Sequence, residues 1–167
     1  MKKSLFFLML ASFLFTSFTL VAQTKGFFYN NTDAKFSAVF PAQYDVELLE
    51  SVEANTVKIA ASTENQSYFI TYTVHSSELT ELTELAYTSL NSFSEALGTK
   101  TTEQSEWKVK KNSGLQATLY IENGTIKIKY YVVLVGHIQY QLVVLAQNES
   151  FDEKASNAFI KSFKISK

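Results

Sequence analysis

From Thr125 to Gln147 the chain reads TIKIKYYVVLVGHIQYQLVVLAQ, its most apolar stretch after the first twenty residues. It is long enough to cross a bilayer as a helix, which takes about 20 residues. Its composition argues against that. Two Lys, a Gly, a His and three Gln interrupt it, and Lys127, Lys129, Gln139 and Gln141 recur at the two-residue period of a strand. Val, Ile and Tyr, which suit a pleated surface, supply most of the rest. Gly136 divides the run, so it reads as two adjacent strands, the central hairpin of a sheet. A chain built around that hairpin must cover a large β surface.

The turns on either side set the expected register. Asn123-Gly124 is a strong two-residue hairpin signal, since both positions accept φ > 0. It pairs Glu122 with Thr125, and places Leu115, Ala117, Leu119 and Ile121 on one face with Ile126, Ile128, Tyr130 and Val132. Asn112-Ser113-Gly114 suits a three-residue loop with Gly in the left-handed position, which brings Trp107 and Val109 onto that same face. Leu134-Val135-Gly136 reads as a similar loop, with His137 opposite Val133 and Ile138, Tyr140, Leu142 and Val144 joining the core face. A two-residue Gly136-His137 turn is the rival. It flips the last strand and sets Gln139 and Gln141 against Leu134 and Val132.

Upstream, alternating segments continue the β pattern: Phe36, Ala38 and Phe40 up to Pro41, then Tyr44, Val46 and Leu48, then Val57, Ile59 and Ala61, then Tyr68, Ile70, Tyr72 and Val74. The period then changes. Leu79, Leu82, Ala86, Leu90, Phe93 and Leu97 form one face of a long helix, with Glu78, Glu81 and Glu84 at its positive end, Ser76 or Ser77 as cap and Gly98 as stop. A C-terminal helix is expected from Ser150, with Ser150 and Glu153 as a capping box and Phe151, Ala155, Ala158, Phe159 and Phe163 as its buried stripe. The expected class is α+β: a largely antiparallel sheet of about six to eight strands, flanked by one long helix and one C-terminal helix as an α/β/α sandwich.

The first residues, MKKSLFFLMLASFLFTSFTLVAQ, carry a Lys pair, an apolar run and a small residue at Ala22. Residues 1–22 read as a secretory signal peptide, with an uncleaved N-terminal anchor as the rival, and residues 23–167 as a single domain, periplasmic or secreted in a bacterium, with no transmembrane helix after cleavage. Composition narrows the chemistry. The chain has no cysteine, which removes disulfides, thiol catalysis and thiolate metal sites. Its basic residues are all Lys, so no guanidinium fork is present for bidentate phosphate binding. With a net charge of −1, no global field points to nucleic acid.

Candidate sites are few. His75 and His137 are the only histidines, and His75-Ser76-Ser77-Glu78 is too common a spacing to specify a metal or an acid/base pair. No metal, cofactor or catalytic residue is expected. Tyr68, Tyr72, Tyr130 and Tyr140 fall on apolar faces and suit core packing, or the lining of an apolar pocket between sheet and long helix. Under the registers above, Lys108, Lys110, Lys127 and Lys129 share one face of three strands with Tyr120 and Tyr131, a strip suited to an anionic partner.

Phe36-Ser37-Ala38-Val39-Phe40-Pro41 followed by an extended segment at Tyr44 resembles the opening of the PsbP-like superfamily. The mid-chain helix, the meander, the Gly136, Tyr140 and Leu142 hairpin return, and the ending Phe159-Ile160-Lys161-Ser162-Phe163-Lys164 continue the likeness. The resemblance implies an antiparallel sheet flanked by helices. It also implies a protein that binds or assists assemblies, since the superfamily has no common active site to carry over. The expectation is an exported, non-catalytic protein-binding or assembly-accessory domain of the cell envelope, with an unknown envelope or secreted protein as partner. A carrier of a small apolar ligand is the alternative, and an unrecognised hydrolase the third reading.

Overall fold

The computed structural model describes residues 26–50 and 54–166. The signal-peptide reading of residues 1–22 lies outside them. Among the described residues, ten strands and two α-helices follow in order: β1 (Phe27–Asn31), β2 (Phe36–Phe40), β3 (Tyr44–Glu50), β4 (Ala54–Ser62), β5 (Gln66–His75), α1 (Leu82–Ala96), β6 (Thr101–Val109), β7 (Asn112–Ile121), β8 (Ile126–Val135), β9 (Ile138–Gln147), α2 (Glu153–Ser162) and β10 (Lys164–Ile165). Strands β3 to β9 form a seven-stranded antiparallel sheet ordered β3-β4-β5-β9-β8-β7-β6, and β1, β2 and β10 form a small second sheet. Helix α1 packs against β7 and β8, while α2 lies against β2.

The large sheet therefore has two cores. On the α1 side, Ala86, Leu90 and Phe93 meet Leu115, Ala117, Leu119, Ile128, Tyr130 and Val132. On the other side, the small sheet and α2 bring Phe36, Phe40, Phe159 and Phe163 against Ile59, Ile70, Tyr140 and Leu142. A strand covered on both faces needs apolar residues at successive positions. That is why β8 and β9 make so continuous an apolar run, with Tyr130 to Leu134 all buried. Phe36 is the hub of the second core. The rings of Tyr29, Tyr72, Tyr140 and Phe163 lie 5.4 to 5.7 Å from it, mostly edge-on or tilted, each contact adding about 0.5–1.5 kcal/mol beyond area burial.

The turns divide the expectations. Across the Asn123-Gly124 connection the register is as read, with Ile121 opposite Ile126 and Leu115 opposite Val132. The connection itself is longer, a 3-10 turn over Glu122–Gly124 with Glu122 and Asn123 both at positive φ. The three-residue loop at Asn112-Ser113-Gly114 does not form. Val109 pairs with Asn112 across a two-residue Lys110-Lys111 turn, so Trp107 and Val109 point away from Leu115 and into the second core. Nor does the loop at Leu134-Val135-Gly136. Val135 pairs with Ile138 across Gly136-His137, Gln139 faces Leu134 and Gln141 faces Val132, which is the rival register. A slip by an odd number of residues reverses every side chain, so Ile138, Tyr140, Leu142 and Val144 serve the second core and not the first.

The helix ends are also reassigned. Glu81, at φ 54, precedes α1 without a side-chain cap, so neither Ser76 nor Ser77 caps it, whereas Gly98 at φ 65 ends it as expected. Asp152, not Ser150, caps α2 by accepting from the Ala155 amide at 2.9 Å. The buried face of α2 takes in Ser156 and Ile160, and Ala158 is exposed.

Candidate functional site

The six residues of the lysine–tyrosine strip separate in three dimensions. Lys127 and Lys129 lie on β8, opposite Tyr120 and Thr118 of β7, and Tyr131 follows them opposite Gln116. These share the second-core side of the sheet. Lys108 does not. The two-residue turn places it opposite Ser113, on the α1 side, where its Nζ lies 3.2 Å from a carboxylate oxygen of exposed Glu106. Lys110 sits in the turn itself, at φ 55, and its Nζ donates to the Ile165 carbonyl at 2.7 Å.

What remains of the strip is a clamp. Glu153, in the first turn of α2, ion-pairs with Lys127 at 2.7 Å and with Lys129, and both ammonium groups stand over the Phe151 ring, 5.0 and 5.8 Å from its centroid. Burial pushes the Glu153 carboxyl up, but hydrogen bonds from Lys127 and Lys129 outweigh it, leaving the group below its ordinary value. Lys127 is correspondingly raised, chiefly by Glu153. Buried Gln66 completes the attachment. Its amide oxygen accepts from the Asp152 amide at 2.8 Å, and its nitrogen donates to the Tyr68 hydroxyl at 2.9 Å. Beyond the clamp, neither α2 nor the small sheet covers the outer part of this face. A polar groove of about 330 Å³ opens there between Glu103 and Ser105 on β6, Gln116 and Thr118 on β7, and Lys129 and Tyr131 on β8.

The tyrosines are packed into the cores. Tyr72 accepts from Asn31 at 2.9 Å, and the Tyr140 hydroxyl donates to the Ala34 carbonyl at 2.6 Å. Burial pushes Tyr68 and Tyr140 up to about 12. Tyr130 stacks on Phe93 at 4.5 Å, filling the space between sheet and long helix, and its buried hydroxyl has no partner. What opens on that side is a cleft of about 310 Å³ beside Ala86 and Tyr87, at the β6–β7 edge.

His75 and His137 meet through the backbone. The His75 amide donates to the His137 carbonyl at 2.8 Å, and the Leu79 amide to that of Gly136 at 2.9 Å, so the segment before α1 is tied to the β8–β9 turn. Burial lowers the His75 pKa, and the neighbouring His137 lowers it further. Among the described residues, no group of three or more His, Asp or Glu is placed to hold a metal ion. No helix among them is long and apolar enough to cross a membrane.

Sequence reasoning missed one feature, a cavity of about 590 Å³ at the end of the large sheet, where the β1–β2, β6–β7 and β8–β9 turns meet β10. Lys35, Lys110 and Lys111 stand around it. Only the clustering of Lys beside turns that fall at one end of the sheet could have signalled it.

No family model and no curated protein matches the sequence. Among solved structures the chain is similar to the solution structure of cyanobacterial PsbP (CyanoP) from Synechocystis sp. PCC 6803, with a TM-score of 0.62 and 9% identity over 90% of this chain and 98% of that one. A crystal structure from Bacteroides thetaiotaomicron VPI-5482 aligns with a TM-score of 0.47 and 14% identity, over 87% of this chain and 50% of that one. The chain has the PsbP-like fold.

Proposed function

We propose that the chain is an exported, non-catalytic binding domain of the bacterial cell envelope, which holds a protein partner as an accessory to an assembly. Three things support the reading. The sequence opens with a signal-peptide pattern at residues 1–22. The superfamily it resembles mostly binds or assists assemblies. The observation that carries the proposal is the open polar face of β6, β7 and β8, where Glu103, Ser105, Gln116, Thr118, Lys129 and Tyr131 surround a groove that the second layer leaves uncovered. Polar, hydrated surfaces of this kind suit reversible protein contacts better than obligate ones. The Lys127–Glu153–Lys129 clamp borders the groove and fixes α2 at its rim.

In-cell cross-linking of the exported protein, followed by identification of what it captures, tests the proposal. A Gln116→Arg variant sets one long cation in the groove, opposite Tyr131 rather than Lys129, while leaving both cores and the clamp untouched. Loss of a specific envelope partner in that variant, at an unchanged unfolding midpoint, is the expected result. An identical capture profile from the two proteins overturns it.

A further inference from the structure

The turn-end cavity combines two chemistries. Its floor is apolar: Ile138, Tyr140 and Ile165 are buried, and Val135 is half-buried at the mouth. The one hydroxyl on that floor, of Tyr140, is already engaged by the Ala34 carbonyl. The rim is cationic. Among the described residues that line it, Lys35, Lys110 and Lys111 stand against one carboxylate, Asp33, an excess of two positive charges in a chain whose net charge is −1.

The rim is also built at a conformational cost. Five non-glycine residues among those described have positive φ, and two of them, Lys35 (φ 50) and Lys110 (φ 55), line this one cavity. A left-handed backbone costs a residue with a Cβ about 1–2 kcal/mol, and such outliers gather where a ligand is held. Both are fixed from outside. The Ser166 amide donates to the Lys35 carbonyl at 2.7 Å, and Lys110 Nζ is held on the Ile165 carbonyl. Thus β10 and Ser166 after it pin the lysines of two separate turns around one opening.

We infer that this cavity binds a single-chain aliphatic carboxylate, with its tail on the Val135, Ile138, Tyr140 and Ile165 floor and its head among Lys35, Lys110 and Lys111. An apolar floor without free donors rejects a polar molecule, because that molecule's groups would be left unpaired. Lysines at the mouth favour an anionic head over a neutral one, each charge-assisted hydrogen bond being worth more than a neutral one. The volume falls inside the usual range for small-molecule pockets, about 300–1,000 Å³. The site stands apart from the groove on β6–β8 and does not depend on the function proposed for that face.

Isothermal titration of the full mature protein with dodecanoate, dodecanol and acetate separates the contributions. Dodecanoate should bind at one site per chain, at least about tenfold tighter than dodecanol, and acetate should show no measurable binding. A Lys35→Ser/Lys111→Ser variant, altered only at exposed positions, should lose about tenfold in dodecanoate affinity and keep its dodecanol affinity. A Val135→Glu variant should lose both. The inference is overturned by equal binding of dodecanoate and dodecanol, by acetate binding as tightly as dodecanoate, by a lysine variant that binds like the parent, or by no binding of dodecanoate at all.

Discussion

Gly114 tests the register of the meander directly. A glycine after Asn112-Ser113 invites a left-handed turn position, yet it lies inside β7, opposite Trp107 on one side and Val133 on the other. Its role is space. A Cβ built there would lie 2.0 Å from the Val132 carbonyl oxygen and 3.0 Å from both Val132 C and Val133 Cα, all backbone atoms, where ordinary contact begins at 3.4 Å. Relief would need the two strands to part by roughly 1.4 Å, the shortfall between those distances. Strand β8 has no room for that, with β9 on its far side and a core on each face. Overpacking of this kind costs about 3 kcal/mol, the upper end of its usual range. For a domain of this size that lowers Tm by about 10 °C. Gly136 is the matched control. Its φ is 61, and no atom lies within 4 Å of the place a Cβ would take, so Gly136→Ala carries backbone strain alone, about 1 kcal/mol. Urea and thermal unfolding by far-UV circular dichroism should rank Gly114→Ala well below Gly136→Ala. The reverse order, or a Gly114→Ala protein as stable as the parent, refutes the register argument.

Glu153→Gln should lower stability at neutral pH by about 1 kcal/mol, the scale of a partly exposed ion pair. Because the folded carboxyl titrates below its ordinary value of 4.5, its contribution is present above that pH and lost as pH falls through the folded value. The variant's urea midpoint should therefore converge on the parent's in acid, and a constant gap down to about pH 3 would contradict the clamp. Tyr130→Phe removes a buried hydroxyl that has no partner and should be neutral or stabilising by about 1 kcal/mol. Tyr140→Phe strips the donor from the Ala34 carbonyl and should cost about 1 kcal/mol, so equal effects in chemical denaturation would count against the assigned hydrogen bonding.

The class of fold was legible because periodicity is a strong signal. The Leu82, Ala86, Leu90 and Phe93 spacing of α1 and the alternation of β4 and β5 both follow from one side chain in two or in 3.6 facing a core. The small sheet was half legible: Phe36, Ala38 and Phe40 mark β2, but Phe27, Phe28 and Tyr29 of β1 run on without alternation, and β10 has only two residues. The turns depart from their local preferences for a physical reason. Local chemistry favours Gly114 over Lys110 in a left-handed position, but the two-residue turn sends Trp107 and Val109 into the second core. Trp107 lies 5.2 Å from the ring of Tyr131 and 6.0 Å from that of Phe163. On the α1 side of β6, where Glu106 and Lys108 stand exposed, Trp107 and Val109 would be left at the surface; burying two such side chains instead is worth several times about 1.5 kcal/mol, more than the strain at one lysine.

The same two turns account for the candidate sites. Had β6 taken the longer loop, Lys108 would have joined Lys127 and Lys129, and their combined charge would have exceeded what Glu153 can offset. With the short turn, Lys127 and Lys129 are left to hold α2, and Lys110 and Lys111 move to the sheet's end beside Gly136, His137 and Lys35. Of the four lysines expected on one flat face, Lys127 and Lys129 form the closed clamp, Lys110 stands at the rim of the open apolar cavity and Lys108 turns to the α1 side beside Glu106. The cavity is where lysines face a solvent-accessible volume with no opposing cluster of carboxylates. Tight registers chosen by core burial, not by turn preference, are therefore what place positive charge over an apolar floor in this chain.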